Sequence, residues 1–416
     1  MATAEPDRAT MPDVGWRFLL LYTLAYMSTC LVFLAPLLVT LALKVNSLVG
    51  LERAPNSLAL VAGIGAAVAV VANPFFGKLS DRTTSQLGMR RPWIVAGLTA
   101  GSVGVLIVAL APTIPLVLLG WCVAQLGFNA LLATMVAVLP DQVPATQRGM
   151  VAGVLGVCLP VASVAGTFLV KLFTGHMLAM FLVPCLVGGI FIVLFAVTLA
   201  DRRLDRADRP PWSVRELAIT FWVDPRRSPD FAWAFASRFM FVLAFAFLTT
   251  YQAYYLLDHL GSAEGAVPQQ VFLGTLVQSA VMVAASLLAG KLSDRTGRRK
   301  AFVVIASAIY GAAMFFIAAA SSFNGFLVGM AVGGLGFGMY MAVDLALVVD
   351  VLPDPDTAAK DLGVLNIAGA LPSAVAPAVA PVILAMSGGS YAMLYAVAGV
   401  CALLAAAAIL PVKGVR

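Results

Sequence analysis

Residues 77–82 of the chain read GKLSDR, and the same six residues recur unchanged at 290–295. The two copies are separated by 213 positions (290 − 77 = 213). A second motif, LPD at 139–141, recurs at 352–354 with the same separation (352 − 139 = 213). Because two motifs share one offset, the sequence indicates duplication of a unit about half the length of the chain.

The composition indicates that this unit belongs in a membrane. Of 416 residues, 61% are hydrophobic and 11% are charged, whereas soluble domains carry about 25% charged residues. The apolar runs recur at about 20 residues, the length that crosses a hydrocarbon core. The five cysteines stand singly in apolar runs without the spacing of metal ligands, so we interpret them as core residues and expect no metal site and no cofactor.

Apolar runs between charged or Pro/Gly-rich breaks predict twelve transmembrane helices. Those of the first half are Phe18–Leu41, Ser57–Gly77, Trp93–Ala111, Pro115–Leu139, Met150–Phe173 and Met177–Ala200. Those of the second half are Trp233–Leu257, Val271–Gly290, Ala301–Ala320, Phe326–Val351, Leu362–Met386 and Tyr391–Leu410. We therefore expect an all-α integral membrane protein of two pseudo-symmetric six-helix bundles, residues 1–200 and 231–416, joined by a cytoplasmic linker, residues 201–230.

The distribution of basic residues predicts the orientation. With both termini in the cytoplasm, Lys44, Arg53 and Lys171 lie outside, Arg238 lies within a helix, and the other 22 of the 26 Lys and Arg residues (26 − 4 = 22) lie inside. This bias predicts a multi-pass protein of the cell membrane with both termini cytoplasmic. The arginine-rich linker is interpreted as a segment lying on anionic lipid headgroups, so we expect the bilayer as a partner, no nucleic acid, and a monomer.

The hexapeptide follows the second predicted helix of each half, and there it resembles the conserved loop signature of the major facilitator superfamily. The resemblance implies a fold of twelve helices and a cytoplasmic gate, in which the Asp faces the N-terminus of a neighbouring helix and the Arg residues tie the loop to facing helices. The gate residues implied are Asp81, Arg82, Arg90, Arg91, Asp294, Arg295, Arg298 and Arg299.

Two segments, 80–94 and 363–372, resemble the glycoside–pentoside–hexuronide:cation symporters and the plant sucrose transporters. In the sucrose transporters an acidic residue precedes an Asn pair on the fourth helix, and this acid is implicated in proton coupling and sugar binding. Here Gln125 takes the place of the acid, and Asn129 matches the second Asn. Since Gln can bond a sugar hydroxyl but cannot carry a proton, any proton coupling is expected in the second half.

Two ionisable residues lie inside predicted helices, where charge is costly and commonly marks a transport path. Arg238 on the seventh helix and Asp344 on the tenth both lie about 12 Å from the cytoplasmic helix ends. In the superfamily these helices line the central cavity, so the two residues are expected to pair. One interpretation makes Asp344 a proton site whose pair with Arg238 breaks during transport; the alternative is a fixed pair that only holds the half together.

Other polar residues recur at helical spacing. The resulting set of candidate cavity residues is Tyr22, Tyr26, Trp121, Gln125, Asn129, Thr249, Gln252, Tyr340 and Asn366, together with the charged pair. Such side chains suit a polyhydroxylated ligand held by hydrogen bonds and stacked on rings. They equally suit hydrogen bonds between membrane helices, and the sequence leaves both interpretations open.

The sequence contains no nucleotide loop, metal cluster or nucleophile arrangement, so an enzyme is not expected. The glycines between 333 and 338 lie inside an apolar helix and are interpreted as packing positions. We expect a small-molecule carrier for a sugar or glycoside, either facilitative or coupled to a proton or sodium ion. The alternative is an exporter of a small hydrophobic metabolite or drug.

Overall fold

The computed structural model describes residues 13–205, 229–350 and 367–412. Within these ranges the chain is all-α and has twelve helices long and apolar enough to cross a membrane. The first six are α1 (Trp16–Val49), α2 (Ala54–Ser80), α3 (Arg91–Leu110), α4 (Ile114–Gln142), α5 (Ala145–Leu172) and α6 (Met177–Thr198). The last six are α7 (Pro229–His259), α8 (Val267–Thr296), α9 (Arg299–Ala319), α10 (Phe323–Asp350), α11 (Ile367–Met386) and α12 (Tyr391–Ile409). The predicted fold class is confirmed.

Two helices end well beyond the predicted residue. Helix α1 ends at Val49, eight residues beyond the predicted Leu41 (49 − 41 = 8). A π-helical turn at Pro36–Thr40 accommodates the proline, and the α-helix then resumes with Lys44 buried. Helix α8 continues through the second GKLSDR copy and ends where Gly297 adopts a φ of 65°. Both predictions were short because polar residues were assigned to loops, although helices often extend past the hydrocarbon core.

Contacts divide the chain into two compact units. Unit 1 comprises Met1–Pro36 and Val68–Pro211, and unit 2 comprises Leu37–Ala67 and Trp212–Arg416. Each unit contains one copy of GKLSDR. The predicted division at residues 201–230 stays a prediction, because most of that segment lies outside the described residues, as does the LPD copy at 352–354.

Glycine lets neighbouring helices approach until their backbones touch. A Cβ added at Gly334 of α10 would lie 2.4 Å from the carbonyl oxygen of Gln278, and one at Gly338 would lie 2.3 Å from that of Met282, both on α8. In unit 1 the glycines of α3 and α4 make similar contacts. Small residues at such crossings are typical of membrane bundles, and the interpretation of the 333–338 glycines as packing positions is confirmed.

Candidate functional site

Unit 2 contains a buried ion pair between α7 and α10. The Nη1 atom of Arg238 lies 2.6 Å from Oδ2 of Asp344. The side chains are 18% and 8% exposed, respectively. The pair expected from the sequence is therefore present, at the distance of a charge-assisted hydrogen bond.

Aromatic side chains and a helix backbone enclose this pair. Tyr340 lies one helical turn before Asp344 on α10, and its ring stacks on Phe241 at 3.6 Å between centroids. On the other side, a Cβ added at Gly369 of α11 would lie 3.6 Å from the guanidinium of Arg238. The Nε atom of Arg238 is buried and has no acceptor among the described residues. The guanidinium thus keeps one donor for a further acceptor.

The other predicted residues of unit 2 have no described hydrogen bond to the ion pair. The Thr249 hydroxyl donates to carbonyls of its own helix, at 3.1 Å from Phe245 and 3.3 Å from Ala246. Gln252 is buried on the same helix. Asn366 lies outside the described residues.

In unit 1, three amide side chains form a hydrogen-bonded group. Asn129 donates from Nδ2 to the backbone carbonyl of Gln125 at 2.8 Å and to its Oε1 at 3.1 Å. Asn73 of α2 donates to Oδ1 of Asn129 at 3.5 Å. Gln125 and Asn129 are both buried. The predicted amides therefore bond each other and a third amide, Asn73, that the sequence analysis did not select.

Two predicted tyrosines line a cavity of about 370 Å³ in unit 1. Its wall includes Tyr22, Tyr26 and Cys30 of α1, Leu139 of α4, and Ala152 and Gly156 of α5. The Tyr22 hydroxyl donates to the carbonyl of Met135 at 2.7 Å. The predicted Trp121 is buried elsewhere on α4, and its Nε1 has no acceptor among the described residues. The cavity is aromatic and apolar rather than rich in hydrogen-bonding groups.

The two repeated motifs of unit 1 meet at Arg90, the N-cap residue of α3. Its Nη1 lies 2.7 Å from Oδ1 of Asp81 and 2.6 Å from Oγ of Ser80, and its Nε lies 2.7 Å from Oδ2 of Asp141. Burial alone would lower the pKa of Arg90, but the bonds and charges of Asp141 and Asp81 outweigh it and raise the pKa. Arg90 is therefore a fixed cation that joins the ends of α2, α3 and α4.

A residue that the sequence analysis missed holds the start of α3. Oδ2 of Asp201, after α6, accepts the backbone N–H groups of Arg90 at 2.7 Å and Arg91 at 2.8 Å. A carboxylate at this position is favoured by the helix dipole. Asp81 instead pairs with the Arg90 side chain. The N-terminus of α3 is thus bonded by Asp201, and the contact of Asp81 with the N-terminus of a neighbouring helix stays a prediction.

Basic residues join the third helix of each half to the sixth. Arg91 donates to the carbonyls of Val197, at 3.2 Å, and Leu199 at the end of α6. In unit 2, Lys300 at the start of α9 donates to the carbonyls of Val412, at 2.8 Å, and Leu410 after α12. Cations suit helix C-termini because carbonyls there lack helical partners. Lys300 was not among the predicted gate residues.

The remaining gate residues show no shared cluster among the described contacts. Arg295 and Arg298 are exposed, whereas Arg82 and Arg299 are half-buried and each makes an interaction. The side chain of Asp294 lies outside the described part of the chain. Two predicted gate residues of unit 1, Asp81 and Arg90, are thus paired, and the gate itself stays a prediction in both units.

A Gly88→Ala variant is expected to lose about 2–3 kcal/mol of stability, because Gly88 combines two constraints. Its φ is 105°, and an added Cβ would lie 2.2 Å from Oδ2 of Asp201. Gly175→Ala is the matched control, since Gly175 has a φ of 90° and open space around it; it should lose only about 1 kcal/mol. Thermal unfolding in detergent measures both, and equal losses would contradict the Asp201 contact.

The chain matches the Major Facilitator Superfamily over residues 17–277 and 265–415. It is similar to a nucleoside transporter NupG structure, with a TM-score of 0.76 and 13% identity over 95% of this chain and 99% of that one. It is also similar to a bacterial homologue of the human lysosomal transporter Spinster, with a TM-score of 0.67 and 16% identity over 99% and 96% of the two chains. At these identities the likeness shows the fold alone.

Shorter stretches are similar to two multidrug resistance proteins MdtL. The protein of Klebsiella pneumoniae (strain 342) is 35% identical over 102 residues, 24% of this chain and 26% of that protein. The protein of Shigella flexneri serotype 5b (strain 8401) is 36% identical over 135 residues, 31% of this chain and 34% of that protein. The match thus covers about a third or less of the length of these curated relatives.

The twelve-helix fold and the match along nearly the whole sequence define a membrane transporter. The chain belongs to the major facilitator superfamily. As a member of this family it is a transporter and not an enzyme.

Proposed function

We propose that the chain is a proton-coupled secondary transporter of a small organic solute, working by alternating access, with Asp344 as the proton site. The observation that carries the proposal is the Arg238–Asp344 pair, 2.6 Å long and buried in the membrane-spanning part of unit 2. Ionisable groups at such depth are costly and are commonly retained for proton or substrate transfer.

Protonation is the event that would break this pair. A neutral Asp344 loses most of its attraction for Arg238, because the Coulomb energy of two full charges is large where water is excluded. Arg238 already has a buried Nε without an acceptor among the described residues, so its released guanidinium can bind acceptor groups of a solute. The alternative, a fixed pair that only stabilises unit 2, predicts no link between protonation and transport.

The first candidate substrate is a sugar or glycoside, with sodium as the alternative coupling ion. It is supported by the buried amides of Gln125, Asn129 and Asn73, since amides bond sugar hydroxyls. The resemblance of the sequence to the glycoside–pentoside–hexuronide:cation symporters also supports this candidate. Against it, these amides already bond each other, so a sugar would have to displace existing hydrogen bonds.

The second candidate is export of a small hydrophobic metabolite or drug. The cavity beside Tyr22 and Tyr26 favours it, because about 370 Å³ of aromatic and apolar wall suits an amphipathic or apolar ligand. The 35–36% identity of short stretches to multidrug resistance proteins agrees with it. The proposed setting for either candidate is the cell membrane, with both termini cytoplasmic and the chain a monomer.

A thermal-shift screen followed by a transport assay distinguishes the two candidate substrate classes. The purified protein is melted with sucrose, methyl β-glucoside, ethidium and rhodamine 6G, and the compound with the largest stabilisation is tested by counterflow in proteoliposomes. Stabilisation by a sugar, with counterflow, supports the first candidate; stabilisation by a dye supports the second. Stabilisation without counterflow for any of these compounds would contradict transport of that compound.

A further inference from the structure

A groove of about 440 Å³ lies on unit 2, where the start of α9 meets the end of α12. Its wall consists of Arg298, Lys300, Ala301, Val304, Ile305 and Leu410. Four of these six residues are apolar, two are basic and none is acidic. Neither the buried ion pair nor the cavity beside Tyr22 uses any of them, so the groove is separate from the sites described above.

The groove is open on its outer side and closed toward the middle of the two helices. Its exposed residues are Arg298, Ala301, Ile305 and Leu410. Deeper along the helices, a Cβ added at Gly311 of α9 would lie 3.1 Å from the carbonyl oxygen of Gly399 of α12, so the two backbones touch there. Gly311 follows Lys300 by eleven residues (311 − 300 = 11), a rise of about 16 Å. The groove therefore occupies the region between this crossing and the helix ends.

This location corresponds to the boundary between the hydrocarbon core and the lipid headgroups. Helices α9 and α12 are both long and apolar enough to cross a membrane, and α9 begins among basic residues. Long basic side chains near the ends of spanning helices extend toward the headgroups. Exposed apolar side chains on such helices contact acyl chains, which are as apolar as leucine. Ile305 and Leu410 are therefore positioned to contact lipid.

The basic rim of the groove favours an anion. Arg298 is exposed at the N-cap of α9, and Lys300 follows two residues later. The ammonium group of Lys300 donates to the carbonyls of Leu410 and Val412, and since an ammonium has three N–H donors, these two bonds leave one donor. The sequence directly after Val412, KGVR, contains two more basic residues and no acidic one. Basic pockets between membrane helices commonly bind anionic headgroups.

We propose that the groove binds an anionic phospholipid, with the phosphate at the two cations and an acyl chain along the apolar wall. Only this ligand matches both halves of the groove, because a free phosphate leaves the apolar wall uncovered and a zwitterionic lipid carries no net charge. A second copy of the chain is a poorer match, since a symmetric dimer would bring two basic rims together. The site requires neither the Arg238–Asp344 pair nor a particular solute.

Native mass spectrometry of the purified, delipidated protein tests the choice of ligand. The protein is titrated with a phosphatidylglycerol, with a phosphatidylcholine of the same acyl chains, and with glycerol 1-phosphate. We expect the phosphatidylglycerol to bind about fivefold or more tightly than the phosphatidylcholine, because one charge contact at a membrane surface contributes about 1 kcal/mol. Equal affinity for the two lipids would overturn the preference for an anion. Binding of glycerol 1-phosphate as tight as that of the lipid would assign the groove to a free phosphate instead.

Two variants test the location of the site. Arg298→Gln removes one cation and should weaken phosphatidylglycerol binding about fivefold. Ala301→Phe fills the apolar wall and should weaken it about tenfold or more, the equivalent of two methylene groups that lose their contact. Both positions are exposed, so the fold is expected to persist, and thermal unfolding checks this.

Matched controls come from exposed positions outside the groove. Arg203→Gln removes an exposed arginine after α6, and Ala312→Phe enlarges an exposed alanine of α9 eleven residues beyond Ala301 (312 − 301 = 11), on the same face of the helix. Both controls should keep wild-type lipid affinity. Wild-type affinity in both groove variants would overturn the site, as would equal weakening in the controls. A dimer that forms without lipid and is lost in Ala301→Phe would identify a second copy as the occupant and would also overturn it.

Discussion

An Arg238→Ala variant is expected to lose about 3–5 kcal/mol of stability at neutral pH, because it leaves the charge of Asp344 buried without a counter-ion. The side chain of Asp344 is 8% exposed, so water replaces the guanidinium poorly. Acidic pH should restore part of the loss, since a neutral carboxyl group is much less costly to bury than a carboxylate. Thermal unfolding of the purified variant between neutral and acidic pH measures both effects.

The double variant Arg238→Met/Asp344→Leu is the control for this prediction. Replacing both members of a buried ion pair with apolar residues is commonly neutral or stabilising. The double variant should therefore be more stable than Arg238→Ala and should show no recovery at acidic pH. Equal losses in the single and the double variant would mean that packing around Arg238, and not its charge, accounts for the effect.

The second large effect is expected at Arg90. An Arg90→Ala variant should lose about 2–4 kcal/mol of stability, because the guanidinium bonds three side chains at the ends of α2 and α4 and hydrogen bonds to charged groups each contribute about 1.5–3 kcal/mol. The expected loss of stability is smaller than the sum of these three contributions, because Asp81 and Asp141 are 51% and 34% exposed and can be rehydrated. Thermal unfolding provides the measurement.

Arg298→Ala is the matched control for Arg90, since Arg298 is the N-cap residue of α9 and is exposed. Its loss should stay within about 0.5 kcal/mol, as is usual for surface positions. If Arg90→Ala were no more destabilising than Arg298→Ala, the ionic junction of the two repeated motifs would not contribute to the stability of unit 1.

The number and type of the helices were predictable because apolar runs of membrane-spanning length leave few alternatives. The Arg238–Asp344 pair was predictable for a related reason. Charges are so costly inside a membrane that two opposite ones at matched depth are expected to find each other. In both cases a strong physical penalty excludes most other arrangements, and the sequence alone is then informative.

Contacts between the ends of neighbouring helices were not predictable. Asp201 and Lys300 lie in polar segments at helix ends, where many charged residues occur and no periodicity distinguishes the one that bonds a neighbouring helix. Asn73 was missed because it lies outside the segments that resemble a family motif, although an amide in an apolar helix is itself a signal. The π-helical turn at Pro36–Thr40 also has no distinct sequence pattern.

For the buried amides of unit 1, the family resemblance predicts a sugar-binding role that their observed hydrogen bonds do not support. In the resemblance to the plant sucrose transporters, Gln125 takes the place of an acid implicated in sugar binding, and Asn129 matches the second Asn of a pair. In the structure these two amides hydrogen-bond each other and Asn73. The sequence predicted that these amides lie inside a membrane helix, but it did not predict their hydrogen-bond partners. An amide satisfies its donors and acceptors equally well with a ligand or with a neighbouring helix.

The central claim is that Asp344 couples proton movement to transport. Its most direct test compares wild type and Asp344→Asn in proteoliposomes, using the solute identified by the screen. Asn keeps the size of the side chain and can still accept a hydrogen bond from Arg238, but it cannot titrate. We expect Asp344→Asn to retain solute counterflow and to lose accumulation driven by an imposed pH gradient; accumulation at the wild-type level with unchanged pH dependence would contradict the claim.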